Sequence, residues 1–337
     1  MTRWRRRQVI VGLAASGVAC GGLAIGGLAS ATRQPDRLPR IGYLGSDSKP
    51  GLDRLAALLQ GLRDLGYVDG QTIAIERGLS QDQTGATFVD MAAKLLGGGV
   101  QVIVTSSTPA LVAAAQATQS VPIVAAGPNR RLIDIGLVSS LARPGGNVTG
   151  VDNDPRLDAK GVELLHETIP GTVRIGYLRN PATLGATEQL TRAQEAARLL
   201  GLELFDLQVS APDDIDAAFD RADALHIGGL IVSTDFLFGD PSGWRVLSLA
   251  LKHQLPAIYT QTAGYVDQGG LMAYAADYSA FHRRAATFVD KLLRGANPAE
   301  LPVEQAMTID FAINLKSAQA LGLTIPEHVL LQASALL

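Results

Sequence analysis

The sequence predicts an α/β protein of two doubly wound parallel-sheet lobes, and three observations predict it. Short apolar runs alternate with stretches of helical period along the chain, the pattern of parallel sheets with right-handed crossovers. The pentapeptide Arg-Ile-Gly-Tyr-Leu occurs twice, at 40–44 and 174–178, each time opening a series of strands and helices. A chain of 337 residues also exceeds what one hydrophobic core usually serves, so two similar units are expected.

The first series begins with the apolar run 40–45, ended by Ser46, Asp47 and Ser48; residues 52–65 then repeat apolar side chains at helical spacing. Gly66-Tyr67 closes that helix. A strand follows at 72–76, a helix at 88–96 running into Gly97-Gly98-Gly99, and a strand at 100–105. Ser106-Ser107-Thr108-Pro109 starts the next helix, with Pro109 in the first turn, where its missing N–H costs nothing. Residues 121–126 make a fourth strand. The second series reads as a helix at 160–168, a strand at 173–178, a helix at 184–200, strands at 203–209, 229–233 and 257–259, and helices at 215–222 and 242–253. Residues 277–293 form an amphipathic helix with Phe281, Ala285, Phe288, Val289 and Leu292 on one face, which needs a sheet to pack on.

Ahead of these series lies a leader. Arg3, Arg5, Arg6 and Arg7, an apolar stretch at 9–28 and the terminus Ala29-Ser30-Ala31 read as an export signal cleaved after Ala31, which places the working protein in the periplasm. The consecutive arginines followed by Gln8, Val9 and Ile10 suggest the twin-arginine type. The alternatives are an N-terminal membrane anchor, since the apolar run approaches spanning length, and lipid modification at Cys20. Cys20 is the only cysteine, so the mature chain has no internal disulfide and no thiolate metal site. Cleavage leaves 25 Lys plus Arg against 32 Asp plus Glu, a net charge near −7, which argues against nucleic acid and anionic lipid as partners.

Catalytic patterns are thin. There is no Gly-x-Ser-x-Gly elbow, no P-loop and no Gly-x-Gly-x-x-Gly after a strand. His166, His226, His253, His282 and His328 are scattered, none with a histidine four residues on, so packing or surface roles are expected and no metal or cofactor is implied. Asp213-Asp214 opens a helix, where acids suit the dipole, and the Asn147-Val-Thr149 sequon carries no argument by itself.

Longer motifs carry a resemblance. The segments 61–70 (Gly-Leu-Arg-Asp-Leu-Gly-Tyr-Val-Asp-Gly), 100–104 (Val-Gln-Val-Ile-Val), 136–150 (Gly-Leu-Val-Ser-Ser-Leu-Ala-Arg-Pro-Gly-Gly-Asn-Val-Thr-Gly), 269–274 (Gly-Gly-Leu-Met-Ala-Tyr), 301–305 (Leu-Pro-Val-Glu-Gln) and 313–326 resemble the substrate-binding proteins of ABC transporters in the tryptophan-binding-protein-like group. The resemblance runs over about 40–330. It implies a type I periplasmic-binding-protein fold whose lobes are joined by a multi-crossing hinge. After the leader 1–31, one lobe would hold 32–148 and 275–301, the other 149–274 and 302–337. It implies a monomer that takes a small polar ligand, with an amino acid as a candidate, and delivers it to an ABC permease. The rival readings are a periplasmic ligand sensor and an enzyme using the same cleft.

In open α/β sheets ligands collect outside the carboxyl ends of the strands. On the first side this selects Ser46, Asp47 and Ser48, then Ser106, Ser107 and Thr108, whose hydroxyls and helix N–H groups suit a carboxylate but also serve as a plain cap. Gly127-Pro128-Asn129 follows the next strand; this loop departs from the family's Gly-Asp-Pro-Val, and Arg130 and Arg131 either meet a ligand carboxylate or are solvated. On the second side lie Asp152, Asn153, Asn180, Asp235, Phe236, Tyr259 and Thr262. Asp152 and Asp235 are candidates for an ammonium group, Phe236 and Tyr259 for an apolar or stacking wall.

Overall fold

The computed structural model describes residues 38–80, 85–128, 131–153, 157–239, 242–260, 264–305 and 309–337, so the leader lies outside the described residues. The first lobe folds as β1 (Arg40–Gly45), α1 (Lys49–Asp64), β2 (Ala74–Leu79), α2 (Gly85–Gly97), β3 (Val102–Thr105), α3 (Thr108–Ala117), β4 (Ile123–Ala126) and β5 (Val148–Asp152). The second follows as α4 (Leu157–Thr168), β6 (Arg174–Arg179), α5 (Ala186–Leu199), β7 (Glu203–Gln208), α6 (Asp214–Ala224), β8 (Gly229–Val232), α7 (Ser242–Lys252), β9 (Ala257–Tyr259), α8 (Gly264–Asp267) and β10 (Met272–Ala276). The chain returns to the first sheet with α9 (Tyr278–Leu293) and β11 (Glu304–Gln305). It ends on the second with β12 (Ile309–Ile313), α10 (Leu315–Ala320), α11 (Glu327–Leu330) and β13 (Ala335–Leu336).

The sheet orders are β11-β5-β4-β3-β1-β2 and β13-β12-β10-β9-β8-β6-β7. The repeated pentapeptide takes the same place in each, since β1 pairs with β2 and β3 while β6 pairs with β7 and β8, all in parallel. Both copies are buried from the isoleucine onward, which is why each reads as one apolar run rather than an alternation. The second sheet is mixed rather than wholly parallel: β12 runs antiparallel to β10, with Ala275 opposite Asp310.

Two boundaries differ from the sequence expectation. The segment 149–152 was expected to open the second lobe, yet with Val148 it pairs with β4 in the first sheet, Ile123 opposite Val148 and Ala126 opposite Val151. Asn147 anchors its start by donating to the Thr118 and Val121 carbonyls, and Gly150 is required because a Cβ there would strike the backbone of Ala125. The chain therefore leaves the first sheet only after Asp152, and it leaves the second after Ala276. The second strand starts at Ala74 and not Thr72, because the Thr72 hydroxyl closes a turn between the Val68 N–H and the Gly66 carbonyl.

Four apolar clusters fill the two faces of the two sheets. The amphipathic helix at 277–293 finds the sheet it needs: α9 buries Phe281, Ala285, Phe288 and Val289 in the same cluster as Ile41 and Val104 of the first sheet and Leu58 of α1.

Candidate ligand-binding cleft

The carboxyl ends of the first sheet gather polar side chains. Ser48 caps α1 by accepting the Gly51 N–H, and its hydroxyl accepts a hydrogen bond from that of Ser46 at 2.9 Å. Ser107 caps α3 by accepting the Ala110 N–H at 3.3 Å, and Ser106 donates to the Leu44 carbonyl at 3.4 Å. Beside these satisfied groups stand buried oxygens with no hydrogen-bond partner: Asp47 Oδ1, Thr105 Oγ1, Thr108 Oγ1 and Asp152 Oδ2. Each lies at or just past the end of β1, β3 or β5. The other Asp152 oxygen accepts the Leu132 and Asn153 N–H groups at 3.1 and 3.0 Å. Burial pushes the Asp152 carboxyl up to about 6, against the two amides and the Arg131 charge, which hold it lower.

The second sheet's edge is more fully paired. Asp235 accepts the Leu237 N–H at 2.9 Å, the Asn180 amide at 3.4 Å and the Thr183 hydroxyl, so its carboxylate already binds two loops together. Asn153 is buried where the chain crosses between sheets. Tyr259 is fully buried and stacked on Tyr265 at 4.7 Å within the core of the second lobe, which makes it a packing residue. Asn129, Thr262 and the Phe236 side chain lie outside the described residues.

The repeated tyrosines differ at this level. The Tyr177 hydroxyl donates to Asp158 at 2.7 Å, whereas the Tyr43 hydroxyl faces Ser106 without a hydrogen bond of normal geometry. Burial pushes the Tyr43 phenol up to about 12. Its ring lies 6.0 Å from that of His282, which is fully buried, donates from Nδ1 to the Tyr278 carbonyl at 2.7 Å, and leaves Nε2 without a partner. Burial, and then the Arg54 charge, push His282 down to about 3, so it is neutral.

Residues that the sequence reading did not select line a cavity of about 520 Å³ between the lobes: Arg54 from α1, Asp277 and Tyr278 at the start of α9, Tyr265 from α8, and Asp310 from β12. The Arg54 guanidinium lies 4.4 Å above the Tyr278 ring, and Phe281 meets the same ring edge-on at 5.6 Å. Asp277 caps α9 through the Ala280 N–H at 2.9 Å. Burial, and then the neighbouring Asp277, raise the Asp310 carboxyl above its ordinary range. Of these, only Asp277 had a local signal, as an acid directly ahead of a helical run.

Two α/β lobes with a polar cleft at their facing strand ends have a counterpart among known proteins. The profile of the family described as ABC transporter substrate binding protein matches residues 48–336. The chain belongs to this family. A curated relative, the tyrosine-binding protein of Clostridioides difficile (strain R20291), is 27% identical over 285 residues, covering 84% of this chain and 81% of the relative. Among solved structures, the ABC domain from Streptococcus pneumonia in complex with L-Trp is 28% identical with a TM-score of 0.80, over 89% of this chain and 100% of that one. A ligand-free, open substrate-binding protein with adhesive properties from Clostridium difficile is 25% identical with a TM-score of 0.70, over 89% and 99%. The fold is that of the type I periplasmic binding proteins.

In this substrate-binding protein the lobes are also tied by charge. Asp134, in the first lobe's segment between β4 and β5, takes Arg131 at 3.4 Å and Arg192, from α5 of the second lobe, at 3.3 Å. The expectation that Arg131 would meet a ligand or solvent thus has a third outcome, a partner within the chain.

Proposed function

We propose that the chain is the exported receptor of an ABC importer, closing its lobes on a small polar ligand of the amino-acid class and presenting it to the membrane permease. The observation that carries this reading is the set of buried oxygens without partners at the strand ends: Asp47, Thr105, Thr108 and Asp152. Buried polar atoms are paired almost everywhere in folded proteins, so four together at one sheet edge mark where a polar ligand supplies the missing bonds. Serine and threonine hydroxyls beside a helix start can donate to an acceptor on the ligand. The network around Asp235 holds its loops in place, and the ligand closes the lobes by touching both. Aromatic amino acids are the first candidates, a choice supported by the names of two relatives, one tyrosine-binding and one holding L-Trp.

Thermal unfolding in the presence of amino acids, purines and small carboxylates tests the reading. A ligand at a hundredfold excess over its Kd adds about 2.7 kcal/mol of stability. Thr108→Val should weaken that ligand about tenfold while leaving the Ser107 cap intact. Stabilisation by a purine but by no amino acid would replace the ligand class, and turnover of the bound compound would replace transport by catalysis. For the leader, Arg6→Lys with Arg7→Lys should abolish export; unaffected export would make it an ordinary secretory signal.

A further inference from the structure

Arg54 and Asp310 line the same interlobe cavity from opposite lobes, and neither has an ion-pair partner among the described residues. Of the other charged groups lining the cavity, Asp267 and Asp277 are acids without a cationic partner among the described residues. Lys49 pairs with Asp53 at 2.9 Å, Asp277 caps α9, and His282 behind Tyr278 is neutral. Arg54 is half-buried, with its guanidinium carbon 4.4 Å from the Tyr278 ring centroid, and its N–H groups make no hydrogen bond or ion pair among the described residues. Asp310 is half-buried beside a second carboxylate, a setting that disfavours its charged form until a cation arrives.

We propose that these two side chains are the poles of the ligand subsite: Arg54 receives the α-carboxylate and Asp310 the α-ammonium of a free amino acid, with Tyr278 as the wall beside them. The assignment rests on the reading of the chain as an amino-acid receptor. It also gives closure a cause. Arg54 stands on the first lobe and Asp310 on the second, so a ligand bearing both opposite charges bridges the lobes and holds them together.

Calorimetric titration of the purified chain with the common amino acids, their α-amides and their N-acetyl derivatives tests the assignment. The unaltered protein should bind a free amino acid and reject its amide and its N-acetyl form, each by about tenfold to a hundredfold. Arg54→Gln should weaken the free amino acid by the same factor yet leave its amide as in the unaltered protein. Asp310→Asn should do likewise and spare the N-acetyl derivative. The spared compound reports in each case that the variant is folded. Equal weakening of all three compounds, or of none, overturns the assignment while leaving the receptor reading in place. Failure of every amino acid to bind the unaltered protein overturns both.

Discussion

Asp152 has no measurable exposure, and only one of its two oxygens is hydrogen-bonded. Its folded-state value of about 6 lies above the ordinary carboxylate value, so between pH 4 and 6 the folded chain holds more protons than the unfolded one. Stability contributed by this group therefore falls as pH rises through that window, by about 3 kcal/mol in full. His282, pushed down to about 3, acts in the opposite sense: between pH 3 and 6.5 the unfolded chain binds the extra proton, and stability rises with pH. The two slopes largely oppose each other. Asp152→Asn, which keeps an acceptor for the Leu132 and Asn153 amides, should leave stability unchanged at pH 4 and raise it by about 1–3 kcal/mol at pH 7.5. It should also unmask the rising histidine limb. Urea unfolding at a series of pH values reads this directly, and an equal effect at both ends would contradict it.

Helices α1 and α9 carry Arg54 and Tyr278, so their packing sets one wall of the cleft. They approach closely at Gly61, where a Cβ would lie 2.5 Å from the Arg283 carbonyl oxygen and 3.0 Å from the Ala286 methyl. Gly61→Ala should force the helices apart at a cost of about 1–3 kcal/mol, with a parallel loss of ligand affinity as the Arg54–Tyr278 contact loosens. Thermal unfolding and calorimetry on the same variant separate this from a purely stabilising role for Gly61, in which affinity would be untouched. The same pair of helices shows what was legible in the sequence. The apolar face of α9 announced a sheet contact, and the duplicated Arg-Ile-Gly-Tyr-Leu announced two equivalent sheets, because both signals are periodic and local. Ser107 was legible as a cap and serves as one. Arg54 and Asp310 were not legible, since α1 and β12 meet at the cavity only through the chain's returns between lobes, and each residue alone reads as an ordinary polar position. Asp235 and Tyr259 lie at strand ends as their sequence context suggests, but their partners Thr183 and Tyr265 come from other segments.

At the scale of the whole molecule, the Asp134 carboxylate is a clasp between the lobes in addition to the chain crossings. Arg192 and Asp134 are 28% and 18% exposed at their side chains, a partly screened pair worth about 1 kcal/mol with Arg131 in the same network. That energy corresponds to about a fivefold change in the ratio of clasped to unclasped lobes. Arg192→Gln should enlarge the radius of gyration of the ligand-free protein in small-angle X-ray scattering, without changing that of the saturated one. Affinity should fall by up to about fivefold, carried by faster dissociation, because the clasp acts on the bound arrangement after encounter. Asp134→Asn should change lobe spacing as Arg192→Gln does and cost more stability, since it releases two guanidinium groups whose Nε atoms already lack partners. Arg131→Gln keeps the bridge and should leave lobe spacing alone. If Arg131→Gln and Arg192→Gln shift the scattering equally, the network is a local loop brace and the lobes are held by the crossings alone.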